Sequence, residues 1–152
     1  MPSFKKKRPR RLRRKPTGPI PHKPFRRSKE PRARPDEVSL VESRSMPKSF
    51  RRYWHVSYNG RPAGRVFIVV QNPDSENDPD ASITVELNEA SRGRGIGTLA
   101  FRKASELSGF KKVYATMRKS NIASRIAATR AGFEVLEDKP GKELVLVWRP
   151  KS

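Results

Sequence analysis

The chain has 152 residues, of which 33% are charged, and a formal net charge of +20 at pH 7. It contains no cysteine and only two histidines, which excludes disulfide frameworks, a cysteine nucleophile and a metal site built on thiolates or clustered histidines. No apolar run reaches the roughly 18 residues of a membrane span, and no apolar core follows the basic N-terminus as in a secretory signal. We expect a cytoplasmic protein, or a nuclear one if the host has a nucleus, that binds no metal and no membrane.

Residues 1–35 form a basic, proline-rich segment. They hold 15 Lys/Arg, one acid and 8 of the 14 prolines, so their net charge is +14, whereas residues 36–152 carry +6. A segment of this composition cannot bury enough apolar surface to fold on its own. We therefore predict a disordered arm over residues 1–35 and one folded domain over residues 36–152, which is long enough to enclose a core.

The arm predicts a polyanionic partner. An extended cationic segment suits nucleic-acid phosphates, because each contact releases condensed counterions. The expected partner is nucleic acid or a ribonucleoprotein, bound without sequence preference; a solvated tail that only aids solubility, or a nuclear address, is the alternative. The residues predicted to contact nucleic acid are Lys5, Lys6, Lys7, Arg8, Arg10, Arg11, Arg13, Arg14 and Lys15.

The first part of the domain predicts strands. Residues 38–41 indicate one short strand. Residues 53–70 predict a hairpin, because two strand-like runs flank Asn59-Gly60, the strongest short signal for a type I′ turn. The acidic residues of segment 71–81 alternate but lack the glycine and glutamate of an EF-hand, so we expect a solvated loop there.

A strand, a glycine-rich turn and the start of a helix are predicted over residues 83–98. Apolar residues at positions 83, 85 and 87 alternate with polar ones, as in a strand with one buried face. Gly93, Gly95 and Gly97 allow positive φ and close approach of a ligand, and the first N–H groups of the helix favour an anion, usually a phosphate. The predicted apolar face of this helix is Ile96, Leu99, Ala100, Ala104 and Leu107.

The remaining chain predicts a strand, a helix and two strands. Residues 111–118 read as a strand, and Ser120 or Asn121 would cap the helix that follows. Gly132 stands where a helix C-terminal glycine belongs, and residues 133–136 and 143–148 predict the last two strands. The predicted apolar face of this second helix is Ile122, Ala123, Ile126 and Ala127.

The glycine turn was compared with three phosphate-binding motifs. No Walker loop is present, and Thr98 stands where a dinucleotide fingerprint requires its third glycine. Residues 92–97 fit Arg/Gln-x-x-Gly-x-Gly/Ala, and Asn121-x-x-Ser124 is followed at the same helix's end by Gly132-Phe133. In these two motifs the sequence resembles the GNAT superfamily of N-acetyltransferases over roughly residues 53–149. A plain turn that only joins a strand to a helix is the alternative.

The resemblance implies an α/β fold with a central mixed, mostly antiparallel sheet flanked by helices, and acetyl-CoA as cosubstrate. Residues 36–50 look too short and too polar for the one or two helices usual there, so the N-terminal helices would be abbreviated. By resemblance, residues 85–87 pair with the pantetheine arm, the turn holds the diphosphate and Asn121 hydrogen-bonds the coenzyme. The implied coenzyme-binding residues are Val85, Glu86, Leu87, Arg92, Gly93, Arg94, Gly95, Ile96, Gly97, Thr98, Asn121 and Ser124.

The resemblance identifies the catalytic groups less directly than the coenzyme-binding residues. Members that acetylate ribosomal-protein N-termini often carry a glutamate five residues before the asparagine, and many members carry a tyrosine seven residues after it; Thr116 and Ala128 stand there. Glu86 is the predicted base, with a surface ion pair to a lysine of the neighbouring strand as the alternative. Tyr114 is the predicted acid if its ring faces the cleft, and His55 is expected to be a partly exposed strand residue.

The predicted function is acetyl-CoA-dependent N-acetylation of an amine acceptor, directed to nucleic acid or a ribonucleoprotein by the arm. The acceptor would be a protein N-terminus, a lysine or an amine associated with RNA. The alternative is a non-catalytic nucleic-acid-binding protein with the same fold.

Overall fold

The computed structural model describes residues 31–43, 51–71, 79–137 and 140–151. The predicted nucleic-acid contacts at residues 5–15 lie outside the described residues. The described chain contains strands β1 (Val38–Glu42), β2 (Arg51–Tyr58), β3 (Arg61–Val70), β4 (Ala81–Leu87), β5 (Val113–Arg118), β6 (Glu134–Glu137) and β7 (Glu143–Trp148). It also contains helices α1 (Ile96–Ser108) and α2 (Ile122–Arg130), with short 3₁₀ turns at Pro35–Glu37 and Glu89–Ser91.

The strands form one mixed sheet in the order β1-β2-β3-β4-β5-β7-β6. Every neighbouring pair is antiparallel except β4 and β5, which are parallel and are connected through α1. This arrangement confirms the predicted α/β class with its mostly antiparallel sheet. The only helical residues described between positions 31 and 43 belong to the turn Pro35–Glu37.

The β2–β3 hairpin forms where Asn59-Gly60 predicts it. Asn59 and Gly60 have φ values of 48° and 77°, which is the left-handed pair that a type I′ turn requires, and Tyr58 pairs with Arg61 across the turn. The register then sets Tyr53 opposite Phe67, so both residues lie on the same face of the sheet.

The core lies between the other face of the sheet and the two helices. Trp54, Val56, Val66 and Ile68 of the hairpin are buried there, in one cluster with the apolar residues of α1. The ring of Phe101 in α1 meets that of Phe133, between α2 and β6, edge to face, with centroids 5.5 Å apart. No helix in the described part of the chain is long and apolar enough to cross a membrane.

Two details of the predicted helix faces are wrong. Leu107 is 53% exposed, although it shares the stripe of Ile96 and Ala100, because the buried side of the last turn of α1 is that of Ser105 and Ser108. In α2, Ile122 and Ala123 are exposed, whereas Ala128 is fully buried. The first turns of α2 border an open cavity and not the core.

Candidate active site

The sheet opens between its two parallel strands. β4 and β5 pair only at Ala81 with Val113 and at Ser82 with Tyr114. Beyond these positions β4 continues to pair with β3 as far as Leu87, and β5 continues with β7 as far as Arg118. The edge of β4 that faces β5 therefore has main-chain groups without a partner strand over residues 83–87, and such groups suit an extended ligand.

β3 packs very closely against the opened part of β4. Gly64 lies opposite Leu87, and a Cβ at position 64 would come within 2.2 Å of the Glu86 carbonyl oxygen. Only glycine fits there, because the neighbouring atoms are main chain and cannot move aside. No local pattern in the sequence predicts that position 64 must be glycine.

The glycine turn has the backbone that its composition predicts. Gly93 and Gly95 have φ values of 79° and 80°, in the left-handed region. Gly95 is the N-cap residue of α1 and brings no capping side chain, so the first N–H groups of the helix can bind an anion. Gly97 has another role: a Cβ there would lie 3.5 Å from both Ala127 and Leu87, which shows how closely α1, α2 and β4 approach.

A cavity of about 1040 Å³ lies where the opened edge of β4, the glycine turn and α2 meet. Exposed Ala123 and the half-buried Ile126 and Ala127 line it, which explains why the apolar side of α2 is only partly covered. Ten of the residues implied by the resemblance line the same cavity, namely Val85, Glu86, Leu87, Arg92, Gly93, Gly95, Gly97, Thr98, Asn121 and Ser124.

The side chains of three predicted site residues do not line the cavity. Ile96 is 1% exposed and belongs to the core. The Arg94 guanidinium lies 4.4 Å from the centre of the Tyr58 ring, and its Nη2 donates to the Tyr58 hydroxyl oxygen at 2.8 Å. Tyr114 pairs with Ser82 at the closed end of the gap and is not among the residues that line the cavity. For residues 94 and 96, the predicted phosphate contact would come from the main chain.

Glu86 forms an ion pair across two strands. Arg65 lies opposite it in the β3–β4 register and donates from Nε to Glu86 Oε2 at 2.5 Å. This hydrogen bond, followed by a smaller one to Tyr53, raises the pKa of Arg65 above its usual value. The alternative expectation for Glu86 is an ion pair with a lysine of the neighbouring strand, and the structure has such a pair with an arginine in place of the lysine. Both Glu86 and Arg65 also line the cavity.

Asn121 begins α2 as its N-cap. Its Oδ1 accepts a hydrogen bond from the Ser124 N–H at 3.2 Å, as in helices capped by asparagine. The cap uses the acceptor atom of the amide, so the side chain can offer a ligand its two N–H donors. Capping and ligand binding are therefore compatible at this residue.

The cavity includes residues that sequence reasoning missed. Tyr53 and His55 extend from β2, with ring centroids 5.1 Å apart, and the exposed His55 reaches the cavity wall. Period-2 alternation put both residues on one face, but only the strand register shows that this face borders the opening. Arg32 and Arg130 also line it. With Arg65 and Arg92, four arginines face two glutamates, a balance that favours an anionic ligand.

Comparison with known proteins gives a family match and structural similarities. The sequence matches the Acetyltransferase (GNAT) family over residues 16–133. A search of curated proteins found no significant sequence match. The fold is similar to that of aminoglycoside acetyltransferase AAC(6')-Ib in complex with coenzyme A, with a TM-score of 0.55 and 22% identity, over 67% of this chain and 68% of that one.

Two further solved structures show the same likeness. Mycobacterium smegmatis RimJ in complex with CoA-disulfide has a TM-score of 0.55 and 18% identity, over 66% of this chain and 53% of that one. Microcin C7 self immunity acetyltransferase MccE in complex with acetyl-CoA and AMP has a TM-score of 0.54 and 20% identity, over 66% and 61%. This chain thus spans about half to two-thirds of its neighbours' length, and they share its fold. Because the family match covers more than half of its residues, the chain belongs to the acetyltransferase (GNAT) family.

Proposed function

We propose that the protein is an acetyl-CoA-dependent N-acetyltransferase that acts on an amine acceptor. The observation that carries this proposal is the position of the gap between β4 and β5, which opens into the same cavity as the glycine turn. One ligand with a diphosphate and a long polar arm can contact both features. The acetyl-CoA and coenzyme A complexes of the structural neighbours support this choice of cosubstrate.

We propose that the cosubstrate lies along the cavity. The N–H groups around Gly95 would hold the diphosphate, and residues 85–87 would pair with the pantetheine arm. When bound, acetyl-CoA would supply an acetyl group already activated as a thioester. The N–H donors of Asn121 would fix the arm from the opposite wall.

The acceptor amine must lose a proton before it can attack a carbonyl carbon. Glu86 remains the proposed base, because its carboxylate lies on the opened strand and lines the cavity. Arg65 binds Oε2, so Oε1 is the oxygen that would take the proton, directly or through water. The thiolate of coenzyme A leaves as the acetyl group is transferred and must take up a proton. Tyr114 remains the proposed acid for this step, although it pairs with Ser82 at the closed end of the gap and is not among the residues that line the cavity.

We further propose that the basic arm brings the enzyme to nucleic acid or a ribonucleoprotein. The acceptor would then be a protein N-terminus, a lysine or an amine associated with RNA. This proposal is supported by the net charge of +14 on residues 1–35, which favours binding to phosphates. A non-catalytic nucleic-acid-binding protein of the same fold is the second candidate, favoured by Ala128 and Thr116 at positions where many relatives carry catalytic groups.

Binding and turnover of acetyl-CoA distinguish the two candidates. At 100-fold excess over its Kd, acetyl-CoA should stabilise the protein by about 2.7 kcal/mol and raise the melting temperature by roughly 10 °C. Incubation with a lysate and acetyl-CoA should yield acetylated amines detectable by mass spectrometry. A shift without product would support the non-catalytic candidate, and no shift at millimolar acetyl-CoA would contradict both the cosubstrate and the enzyme.

Glu86→Gln should separate a catalytic role from a structural one. If Glu86 takes the proton, kcat should fall at least about 100-fold, while the Kd for acetyl-CoA stays within about twofold. If Glu86 only pairs with Arg65, kcat should change by less than about threefold. Glu106→Gln, at an exposed glutamate of α1, is the matched control. Initial rates over a range of acceptor concentrations at saturating acetyl-CoA give kcat, and calorimetric titration with acetyl-CoA gives its Kd.

A further inference from the structure

The last residues of the predicted arm are held against the glycine turn. The Ala33 N–H donates to the Arg94 carbonyl oxygen at 2.8 Å, and Ala33 packs against the core. Two residues further, the Pro35 carbonyl oxygen accepts from Lys103 Nζ of α1 at 2.6 Å. Segment 31–35 is therefore held at Ala33 to the turn that would bind phosphate and at Pro35 to α1.

The two arginines of this segment have different surroundings. Arg34 is turned outward: its N–H donates to Glu37 Oε2 at 2.8 Å, and its guanidinium contacts the carboxylates of Asp36 and Glu37. The Arg34 N–H hydrogen bond and, to a smaller extent, the Arg34 charge lower the pKa of Glu37. The positive charge of Arg34 is thus directed at neighbouring acids and away from the cavity.

Arg32 lies over the turn itself. A Cβ on Gly95 would meet Arg32 Nη2 at 3.2 Å, Nε at 3.4 Å and Cζ at 3.7 Å, so the guanidinium covers the residue that precedes α1. Arg32 also lines the cavity, together with Gly93, Gly95 and Thr98. Gly95 is constrained by its left-handed φ, and a side chain at this position would also displace the Arg32 guanidinium.

We propose that Arg32 binds the diphosphate of the coenzyme and completes the phosphate site from outside the glycine motif. This inference rests on the proposed acetyl-CoA site. A guanidinium presents several N–H donors in one plane, which suits two phosphate oxygens at once. The hydrogen bonds of Ala33 and Pro35 hold the chain directly after Arg32 in place before the ligand arrives, so less conformational entropy is lost when the contact forms.

The test is calorimetric titration of the full chain with coenzyme A and with 3′-dephospho-coenzyme A, at fixed salt. Arg32→Ala should weaken the binding of both ligands by about tenfold, as expected for a charge-assisted hydrogen bond at an exposed site. Arg34→Ala is the matched control and should change either Kd by less than about twofold. The melting temperature of each unliganded variant shows whether segment 31–35 is still in place.

Each result leads to a decision. Unchanged affinity of Arg32→Ala for both ligands, with wild-type binding intact, would overturn the role of Arg32 and leave the proposed function standing. A loss seen with coenzyme A but not with the dephosphorylated ligand would assign Arg32 to the 3′-phosphate and overturn the diphosphate contact. If the wild-type chain binds neither ligand, the proposed acetyl-CoA site itself is wrong. Partial recovery by Arg32→Lys would support a contact through charge.

Discussion

Gly95→Glu is expected to abolish the binding of acetyl-CoA, with an increase in Kd of at least about 100-fold. Residue 95 has a φ of 80°, a conformation that costs a non-glycine residue about 1–2 kcal/mol. The new Cβ would lie 3.2 Å from Arg32 Nη2, and the added carboxylate would stand where the diphosphate is expected. A 100-fold change corresponds to about 2.7 kcal/mol, which steric obstruction of the site and charge repulsion between the new carboxylate and the diphosphate can supply, whereas the backbone strain acts on folding stability.

The matched control for this substitution is Gly109→Glu. Gly109 ends α1 with a φ of 74°, and a Cβ there would have no atom within 4 Å. This variant therefore carries similar backbone strain at the other end of the same helix, without an obstructed site. Both variants should lose stability by about 1–2 kcal/mol, but only Gly95→Glu should lose the coenzyme-dependent shift in melting temperature. Binding of Gly95→Glu within threefold of wild type would contradict the proposed phosphate site.

Deletion of residues 1–30 is expected to remove most nucleic-acid binding. These residues hold 13 Lys/Arg and one acid, so the deletion lowers the net charge from +20 to +8. For a 20-nucleotide single-stranded RNA at about 0.15 M salt, Kd should rise at least about 100-fold, and the dependence of log K on log salt should become shallower by about 0.7 for each lost phosphate contact. Fluorescence anisotropy across a salt series measures both quantities.

The cut after residue 30 preserves the coenzyme site, because segment 31–35 contacts the glycine turn and α1. The shorter chain should bind acetyl-CoA as the full chain does, which serves as the folding control. A second control keeps the length and replaces the nine cationic residues between positions 5 and 15 by glutamine. Unchanged RNA affinity after both changes would place the nucleic-acid site on the domain.

The local parts of the fold could be predicted from the sequence, because they depend on local rules. Asn59-Gly60 specifies a turn through backbone conformations that few other residues adopt, and the glycines at 93 and 95 do the same for the phosphate turn. Asn121 was one of two predicted caps for α2 and is the residue that caps it. Alternation and helical period then give the buried faces of β4 and of most of α1.

Other features depend on residues far apart in the chain, which local patterns do not describe. The partner of Glu86 is Arg65 because the β3–β4 register sets them opposite each other, and no spacing rule predicts that register. Arg32 was assigned to the arm by composition, whereas one hydrogen bond to Arg94 fixes its neighbour to the domain. Arg94, expected near phosphate from its place in the motif, instead stacks on Tyr58 of a distant strand.

The sheet of this protein consists of a four-stranded block and a three-stranded block that share only two residue pairs, at Ala81 and Ser82. The helices pack across both blocks, so within the sheet itself these two pairs are the connection about which the blocks could rotate. Residues 83–87 extend about 17 Å beyond these two pairs, so a rotation of about ten degrees would move the far end of β4 by about 3 Å and its base hardly at all. Such a rotation would change the width of the coenzyme cleft most at the end where acetyl transfer is proposed. A ligand that contacts both blocks would add a further connection between them.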